Sequence, residues 1–265
     1  MLRVTLLGCG GSGGVPLLGG DGEGGEWGVC DPAEPRNHRS RTSALVEGPR
    51  GGRLLIDAGP DLRRQLLMAR AARLDAVLFT HAHADHIMGI DDLRQINRIT
   101  GRALDAFGTR ATLQKLDDRF DYAFIGPTPP FFFRPALEPR RVEYGERIEI
   151  AGLRVEVFRQ DHGVMDSLGV RIGRFAYSTD VVALPEESLP ALEGLDTWVV
   201  GCFQRGPHKV HASLGQVLEW VERLRPRRTV LTHMGSSMDY RSLSRELPAG
   251  IEPGFDGMVL EIATA

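Results

Sequence analysis

Asp75-Ala76-Val77-Leu78-Phe79-Thr80, running directly into His81-Ala82-His83-Ala84-Asp85-His86, is the stretch on which the fold turns. The first six residues are a short apolar run with the look of a buried strand, and a strand of that kind delivers side chains to a site at its C-terminal end. The next six hold three of the eight histidines in 265 residues. In a tight turn after a strand, the alternate residues His81 and His83 converge on one cation, and Asp85 and His86 turn toward a second. Imidazole and carboxylate together suit zinc, manganese or iron. A solvated histidine-rich tract is the ordinary alternative, but it leaves the apolar strand before it unexplained.

One turn cannot saturate two metal ions held ~3.5–4 Å apart, so further ligands must come from elsewhere. Three residues at predicted strand ends offer them. His162 follows Phe158-Arg159-Gln160-Asp161, Asp180 closes Phe175-Ala176-Tyr177-Ser178-Thr179, and His233 closes Thr229-Val230-Leu231-Thr232. Taken singly each has a plain structural reading, such as Asp180 capping the turn before Pro185; the histidine turn, which needs partners, favours ligation.

Working outward, β-branched and alternating runs predict strands at Arg3 to Leu7, Thr42 to Val46 and Arg53 to Asp57, with a helix over Pro60 to Arg73. Helices are expected at Ile87 to Ile99 and Thr109 to Phe120. The second half predicts strands at Arg147 to Ile150, Leu153 to Phe158, Val170 to Ile172, Phe175 to Ser178 and Thr197 to Gly201. A helix over Ser213 to Leu224 follows, then strands at Thr229 to Thr232 and Met258 to Ile262. Strands lead and helices follow in each half. That order predicts two αβ halves sharing one sandwich core, because the early strands lack helical crossovers. Two segments resist assignment: the Gly-, Pro- and charge-rich loop Gly8 to Arg41, whose length marks it as functional or mobile, and the Pro- and Phe-rich stretch Gly126 to Pro139.

Composition sets the limits. With 42% hydrophobic and 25% charged residues, the chain excludes collagen-like, coiled-coil and disordered classes. A chain of this length can bury about 73% of its surface, so one hydrolase domain spanning residues 1–265 needs no staples. No apolar run reaches the ~20 residues of a membrane span, and Met1-Leu2-Arg3-Val4 reads straight into a strand, so a cytoplasmic protein is expected. The net charge of −3 provides no global field for a polyanion and disfavours nucleic acid, although local patches stay open. Three cysteines without a CxxC spacing argue against a disulfide framework and a thiolate zinc knuckle.

The HxHxDH turn followed by a later His, Asp and His resembles the metallo-β-lactamase superfamily, and the likeness spans nearly the whole chain. More narrowly, Gly8-Cys9-Gly10-Gly11-Ser12-Gly13-Gly14-Val15-Pro16, Arg39-Ser40-Arg41-Thr42-Ser43, Ile56-Asp57-Ala58-Gly59 and His86-Ile87-Met88-Gly89-Ile90-Asp91-Asp92-Leu93 look like the cyclic-phosphate phosphodiesterases of phosphonate catabolism. The resemblance implies an α/β (α+β) four-layer αββα sandwich, the metallo-β-lactamase fold. It implies two divalent metal ions, zinc or manganese. His81, His83 and His162 would hold the first, Asp85, His86 and His233 the second, and Asp180 would bridge both. It also implies His211 as general acid, with His208 in reserve and Asp85 counted with the catalytic residues. The reaction implied is hydrolysis of a small cyclic or diester phosphate by metal-activated hydroxide, with the phosphate ester as partner and a homodimer open. A tRNA 3′-end endonuclease and a thioester hydrolase share the ligand set. The first wants a basic docking surface, the second a helical C-terminal domain for which the stretch after His233 is short.

The chain departs from this pattern in one place. The family's structural zinc uses a Cys-rich cluster in the first loop and a His three residues after the last catalytic one. Here Gly25-Glu26-Trp27-Gly28-Val29-Cys30 has one cysteine and Ser236 takes the second place. The expectation is a loop without that zinc, ordered by Trp27 and by its arginines. Arg39 and Arg41 are candidate phosphate clamps or solvated loop residues, and Gly10 to Gly14 an anion cradle or a tight turn. Asp57 is expected to orient a metal-binding histidine or to shape a turn. Phe131-Phe132-Phe133-Arg134-Pro135 reads as a core or dimer patch rather than a substrate wall.

Overall fold

A computed structural model describes residues 1–20, 24–126 and 134–263. In chain order its strands are β1 (Leu2–Gly8), β2 (Ser43–Glu47), β3 (Arg53–Ile56), β4 (Ala76–Leu78), β5 (Leu104–Gly108), β6 (Leu137–Arg141) and β7 (Arg147–Ile150). They continue with β8 (Leu153–Asp161), β9 (Asp166–Ile172), β10 (Phe175–Ser178), β11 (Thr197–Gly201), β12 (Arg228–Thr232), β13 (Ile251–Pro253) and β14 (Val259–Ile262). The helices are α1 (Leu62–Met68), α2 (Ala84–Ile87), α3 (Leu93–Thr100), α4 (Arg110–Phe124), α5 (Leu214–Leu224) and α6 (Tyr240–Glu246). Among the described residues no helix is long and apolar enough to cross a membrane.

The strands form two seven-stranded sheets, ordered β14-β1-β2-β3-β4-β5-β6 and β13-β12-β11-β10-β9-β8-β7. Each sheet changes character halfway. Strands β1 to β3 pair antiparallel and β3 to β6 parallel; β7 to β10 pair antiparallel and β10 to β13 parallel. Parallel neighbours need crossovers, and α1, then α2 with α3, then α4, supply them in the first sheet, as the 3₁₀ segment Glu186–Leu192, α5 and α6 do in the second.

Alternation along the strands builds the layers. Ala76 and Leu78 of β4 join the core between the sheets, whereas Val77 and the following Phe79 face the helices. Leu54 and Ile56 of β3 face inward and Leu55 outward; Ala44 and Val46 of β2 do the same around Leu45. A strand buried on both faces reads as a continuous apolar run, which is why 76–79 carries no polar residue. The inner core adds Val155, Val157 and Val170 from the second sheet, while Trp198, on the opposite face by register, meets Trp220 of α5 at 6.3 Å. This is the four-layer αββα sandwich.

The helical expectations need correction. The stretch Ile87 to Ile99 is not one helix: α2 ends at Ile87, a 3₁₀ turn covers Ile90–Asp92, and α3 starts at Leu93. Gly89 lies in the break, where a Cβ would collide with the Gly59 carbonyl oxygen. Helix α1 is shorter than Pro60 to Arg73 because Arg70 adopts φ 53°. Strands β5, β6 and β13 and helix α6 escape the sequence reading. Strand β6 is an edge strand containing Pro139, with four of its five residues exposed, so it has neither alternation nor a full donor row to betray it. Phe131-Phe132-Phe133 falls outside the described residues.

The first long loop is tied down at both ends. Gly10 bridges to Arg41 and to Met234, and Val15 to Arg39. Its anchor is Arg39, which is only 2% exposed. The guanidinium donates to Met238 O at 2.6 Å, Asn37 Oδ1 at 3.3 Å and Gly235 O at 3.4 Å, and approaches Cys30 Sγ at 3.8 Å. Arg39 is therefore no phosphate clamp, and Arg41 is engaged by Asp61 at 3.2 Å. Trp27 is only half-buried, against His38 at 4.6 Å; the polar cluster around Arg39, with Asn37 bonded to Asp239 at 2.7 Å, does more of the ordering.

Candidate functional site

The parallel strands of both sheets end at one place, and their exits carry the chemistry. Strand β4 runs through Phe79 and Thr80 into His81 and His83, and the short α2 presents Asp85 and His86 from its first turn. His162 directly follows β8, Asp180 comes two residues after β10, and His233 directly follows β12. His211 precedes α5, whose start is fixed by a capping box between Ser213 and Gln216.

Three non-glycine residues here have left-handed backbones: Asp57 (φ 63°), Asp180 (φ 51°) and His233 (φ 54°). Such conformations cost on the order of 1 kcal/mol or more and concentrate where a side chain must be aimed. They turn these residues out of the strand direction and into the space between the sheets' ends.

The seven predicted ligands meet there as two groups sharing Asp180. His81, His83, His162 and Asp180 each bring one donor atom, all within 4.8 Å of one another, and Asp85, His86, Asp180 and His233 do the same. Asp180 Oδ1 faces His162 Nε2 at 3.5 Å and His81 Nε2 at 3.9 Å; Oδ2 faces His86 Nε2 at 3.1 Å and His233 Nε2 at 3.3 Å. Asp85 Oδ2 lies 3.3 Å from His86 Nε2 and 3.6 Å from His233 Nε2.

A further set of residues aims the imidazoles. Asp57 Oδ2 accepts from His86 Nδ1 at 2.7 Å, Val210 O accepts from His162 Nδ1 at 2.7 Å, and Thr80 Oγ1 meets His81 Nδ1 at 3.0 Å. With Nδ1 occupied, each ring turns Nε2 to the centre, the arrangement that supports metal-binding histidines. Asp57 is itself held by the Thr80 N–H and hydroxyl, both at 2.8 Å, so it orients a histidine as expected. Thr80 and the Val210 carbonyl were not singled out from sequence. Thr80 stands one residue before the histidine turn, a signal that could have found it; a backbone acceptor leaves none.

Fit to a cation rests on polar atoms lacking partners. Nε2 of His81, His86 and His233, each facing the centre, is buried without a hydrogen bond, and such atoms are costly to leave unsatisfied. Two all-N/O donor sets with a shared carboxylate would satisfy them with divalent ions of the zinc or manganese kind. The electrostatics agree. Burial would raise the Asp180 carboxyl, but His233, His86 and His81 hold it well below the usual carboxylate range. Burial, then the neighbouring His86, presses His81 well below the ordinary imidazole value, leaving it neutral as a ligand must be.

His211 joins the centre without belonging to either group. Its Nδ1 is 3.7 Å from Asp180 Oδ1, and its ring centroid is 4.7 Å from that of His233 and 4.9 Å from that of His162. Burial, followed by the His233 charge, lowers it to about 3. The free ring is thus neutral, with one N–H to offer.

Comparison with known proteins fits this geometry. Residues 52–234 match the beta-lactamase superfamily domain. A crystal structure described as a new diphosphatase from the PhnP family superposes with a TM-score of 0.88 at 33% identity, covering 100% of this chain and 99% of that one. An octanoyltransferase of Porphyromonas gingivalis is 33% identical over 259 residues, 97% of this chain and 51% of that protein. A ribonuclease Z of Methanopyrus kandleri is 34% identical over 135 residues, 50% of this chain and 44% of that one. The chain spans about half the length of the octanoyltransferase, so that name describes a much longer protein. The domain match and the full-length structural relative agree: the chain is a member of the beta-lactamase superfamily, a hydrolase with the metallo-β-lactamase fold.

Proposed function

We propose that the chain is a dinuclear phosphodiesterase that hydrolyses a small cyclic or diester phosphate. The observation that carries this reading is the pair of donor groups joined at Asp180, with His211 beside the shared carboxylate. His81, His83 and His162 would hold one divalent ion, Asp85, His86 and His233 the other, and Asp180 both; zinc and manganese suit the donors. Bound there, the two ions would acidify water to furnish the nucleophile and screen the phosphate charge.

The chain's own residues supply the rest. Asp57, Thr80 and the Val210 carbonyl keep Nε2 of three histidines directed inward. Asp180 spans the centre because its two oxygens face opposite histidine pairs. His211 is placed to hold a proton at the departing oxygen; the negative charge of a phosphate ester raises the proton affinity of an imidazole that is neutral in the free protein. The full-length relative's description as a diphosphatase supports a small phosphate substrate and adds diphosphate esters to the candidates.

The test is a panel run on metal-analysed protein: bis(p-nitrophenyl) phosphate, 2′,3′-cyclic nucleotides, ribose 1,2-cyclic phosphate esters, a diphosphate ester, pre-tRNA and S-lactoylglutathione. Turnover of one or more small esters is expected. His211→Ala should keep its metal and lose ~10²-fold or more on esters with basic leaving groups. Activity confined to pre-tRNA or to the thioester overturns the assignment.

A further inference from the structure

The loop after β11 holds a ring that neither the metal groups nor the core uses. Gly201 ends β11, Cys202 is buried, and Phe203 emerges half-buried beside the centre. Its ring is 5.0 Å from His211 and 5.0 Å from His208, and 6.1 Å from His233, tilted 34°, 54° and 46° respectively. It belongs to neither hydrophobic cluster. A phenylalanine whose ring neighbours are three imidazoles has a task other than filling the core.

Its backbone is fixed from both sides. The Phe203 N–H donates to Ala212 O at 3.1 Å, the residue after His211, and the Gly235 N–H donates to Phe203 O at 2.9 Å, two residues after His233. Two glycines make room for the ring. A Cβ at Gly11 would stand 2.8 Å from Phe203 Cε2, and one at Gly235 would stand 3.2 Å from the same atom. The ring therefore has a fixed seat between the loop bearing His211 and the loop bearing His233. Among the described residues His211 has no side-chain hydrogen bond comparable to that of Asp57 to His86; its ring contacts are Phe203, His208, His162 and His233.

We propose that Phe203 is the positioning residue for His211, bracing the imidazole beside Asp180 so that its N–H meets the departing oxygen of the substrate. This rests on the phosphodiesterase reading. Aromatic pairs at this separation prefer tilted arrangements, and a side chain displaced by ~1 Å from its working geometry can lose on the order of 10²-fold in rate.

The experiment uses metal-loaded enzyme with Phe203→Leu, Phe203→Tyr, His211→Ala and the double variant Phe203→Leu/His211→Ala. Two substrates are compared: bis(p-nitrophenyl) phosphate, whose leaving group needs no proton, and 2′,3′-cyclic AMP, whose leaving alkoxide does. Phe203→Leu should lose ~10-fold or more in kcat on the cyclic nucleotide beyond any loss on the p-nitrophenyl ester. Its metal content should be unchanged, and the His211 ring resonances should shift or broaden. Phe203→Tyr, which keeps the ring, should restore most of the rate. The double variant should be no slower than His211→Ala alone. Equal losses on both substrates, lost metal in Phe203→Leu, or multiplying losses in the double variant each overturn the positioning role while leaving the phosphodiesterase reading intact. A parent protein inactive on every diester, with two metals bound, removes both.

Discussion

Replacing Arg39 by methionine is the sharpest test of how the site is supported. The guanidinium is 2% exposed and has no carboxylate partner within ion-pair distance among the described residues. It is held by neutral acceptors, the best of them Met238 O at 2.6 Å and Asn37 Oδ1 at 3.3 Å. Hydrogen bonds from a charged donor contribute ~1.5–3 kcal/mol each, so two such bonds are worth ~3–6 kcal/mol. Removing the buried cation also relieves its desolvation, which offsets part of the loss. Methionine fills much of the stem volume but leaves the buried Met238 carbonyl without this donor, whereas Asn37 Oδ1 keeps the Tyr240 N–H at 2.8 Å, and a net destabilisation of ~2–4 kcal/mol is expected. For a chain of this size that corresponds to ~4–7 °C in Tm.

The assay is thermal unfolding followed by circular dichroism at saturating metal, with metal content measured in parallel. Gly235 and Met238, both bonded by Arg39, follow His233 in the chain, so metal should weaken at the group containing His233 before the other. Arg147→Met is the control: that side chain is 80% exposed and paired with Glu156 at the surface, so under about 0.5 kcal/mol should be lost. Arg39→Lys should not rescue, because an ammonium cannot reach acceptors spread over a planar fork. A Tm for Arg39→Met within about 1 °C of the parent, or full rescue by lysine, refutes the account of the loop as pinned by this one fork.

Asp180→Ala should cost several orders of magnitude in kcat together with metal from both groups; loss of one ion alone, seen by elemental analysis, would contradict a shared carboxylate. Asp57→Asn should reduce metal affinity ~10–100-fold while the fold survives, since it acts through His86, and unchanged affinity in a chelator competition would dismiss that coupling. Asp256 gives a pH signature. Its carboxyl accepts from Cys9 N, Ser40 N and Ser40 Oγ, yet burial pushes it above the usual carboxylate range, up to about 6. A carboxyl raised in the folded state favours folding when protonated. The stability of the parent relative to Asp256→Asn should therefore rise as pH falls from 7 through 6 toward 4, by up to ~3 kcal/mol. Denaturant titrations across that window that show a constant or falling difference would reject it.

What was legible in the sequence, and what was not, follows from how local each signal is. The strand 76–78 and the turn His81 to His86 are read from adjacent residues, because a doubly buried strand shows itself by unbroken apolarity and a ligand turn by its composition. His162, Asp180 and His233 are separated along the chain, yet each sits within two residues of a strand end, and the need of the histidine turn for partners selects them. The reading of Arg39 went astray because an arginine in a glycine-rich loop looks the same whether it is solvated, clamps an anion or is buried under another loop. Only the long-range contacts to residues 235 and 238 decide. Strand β6 and helix α6 lie at the periphery, where few side chains need to be apolar.

Phe203 shows the limit from the other side. An isolated phenylalanine after a strand has the core as its default place, and nothing next to it in sequence suggests otherwise. Its significance depends on His208, His211 and His233 arriving from two separate loops, and on Gly11 and Gly235 leaving space for the ring. The ligand pattern can be read residue by residue because each ligand must be a particular chemical type. A brace such as Phe203 is defined only by shape, so it becomes visible once the loops are in place. If the brace matters as argued, selection acts on Gly11, Phe203 and Gly235 together: a side chain at either glycine should displace the ring and show the same leaving-group-selective loss as Phe203→Leu, with the metal still bound.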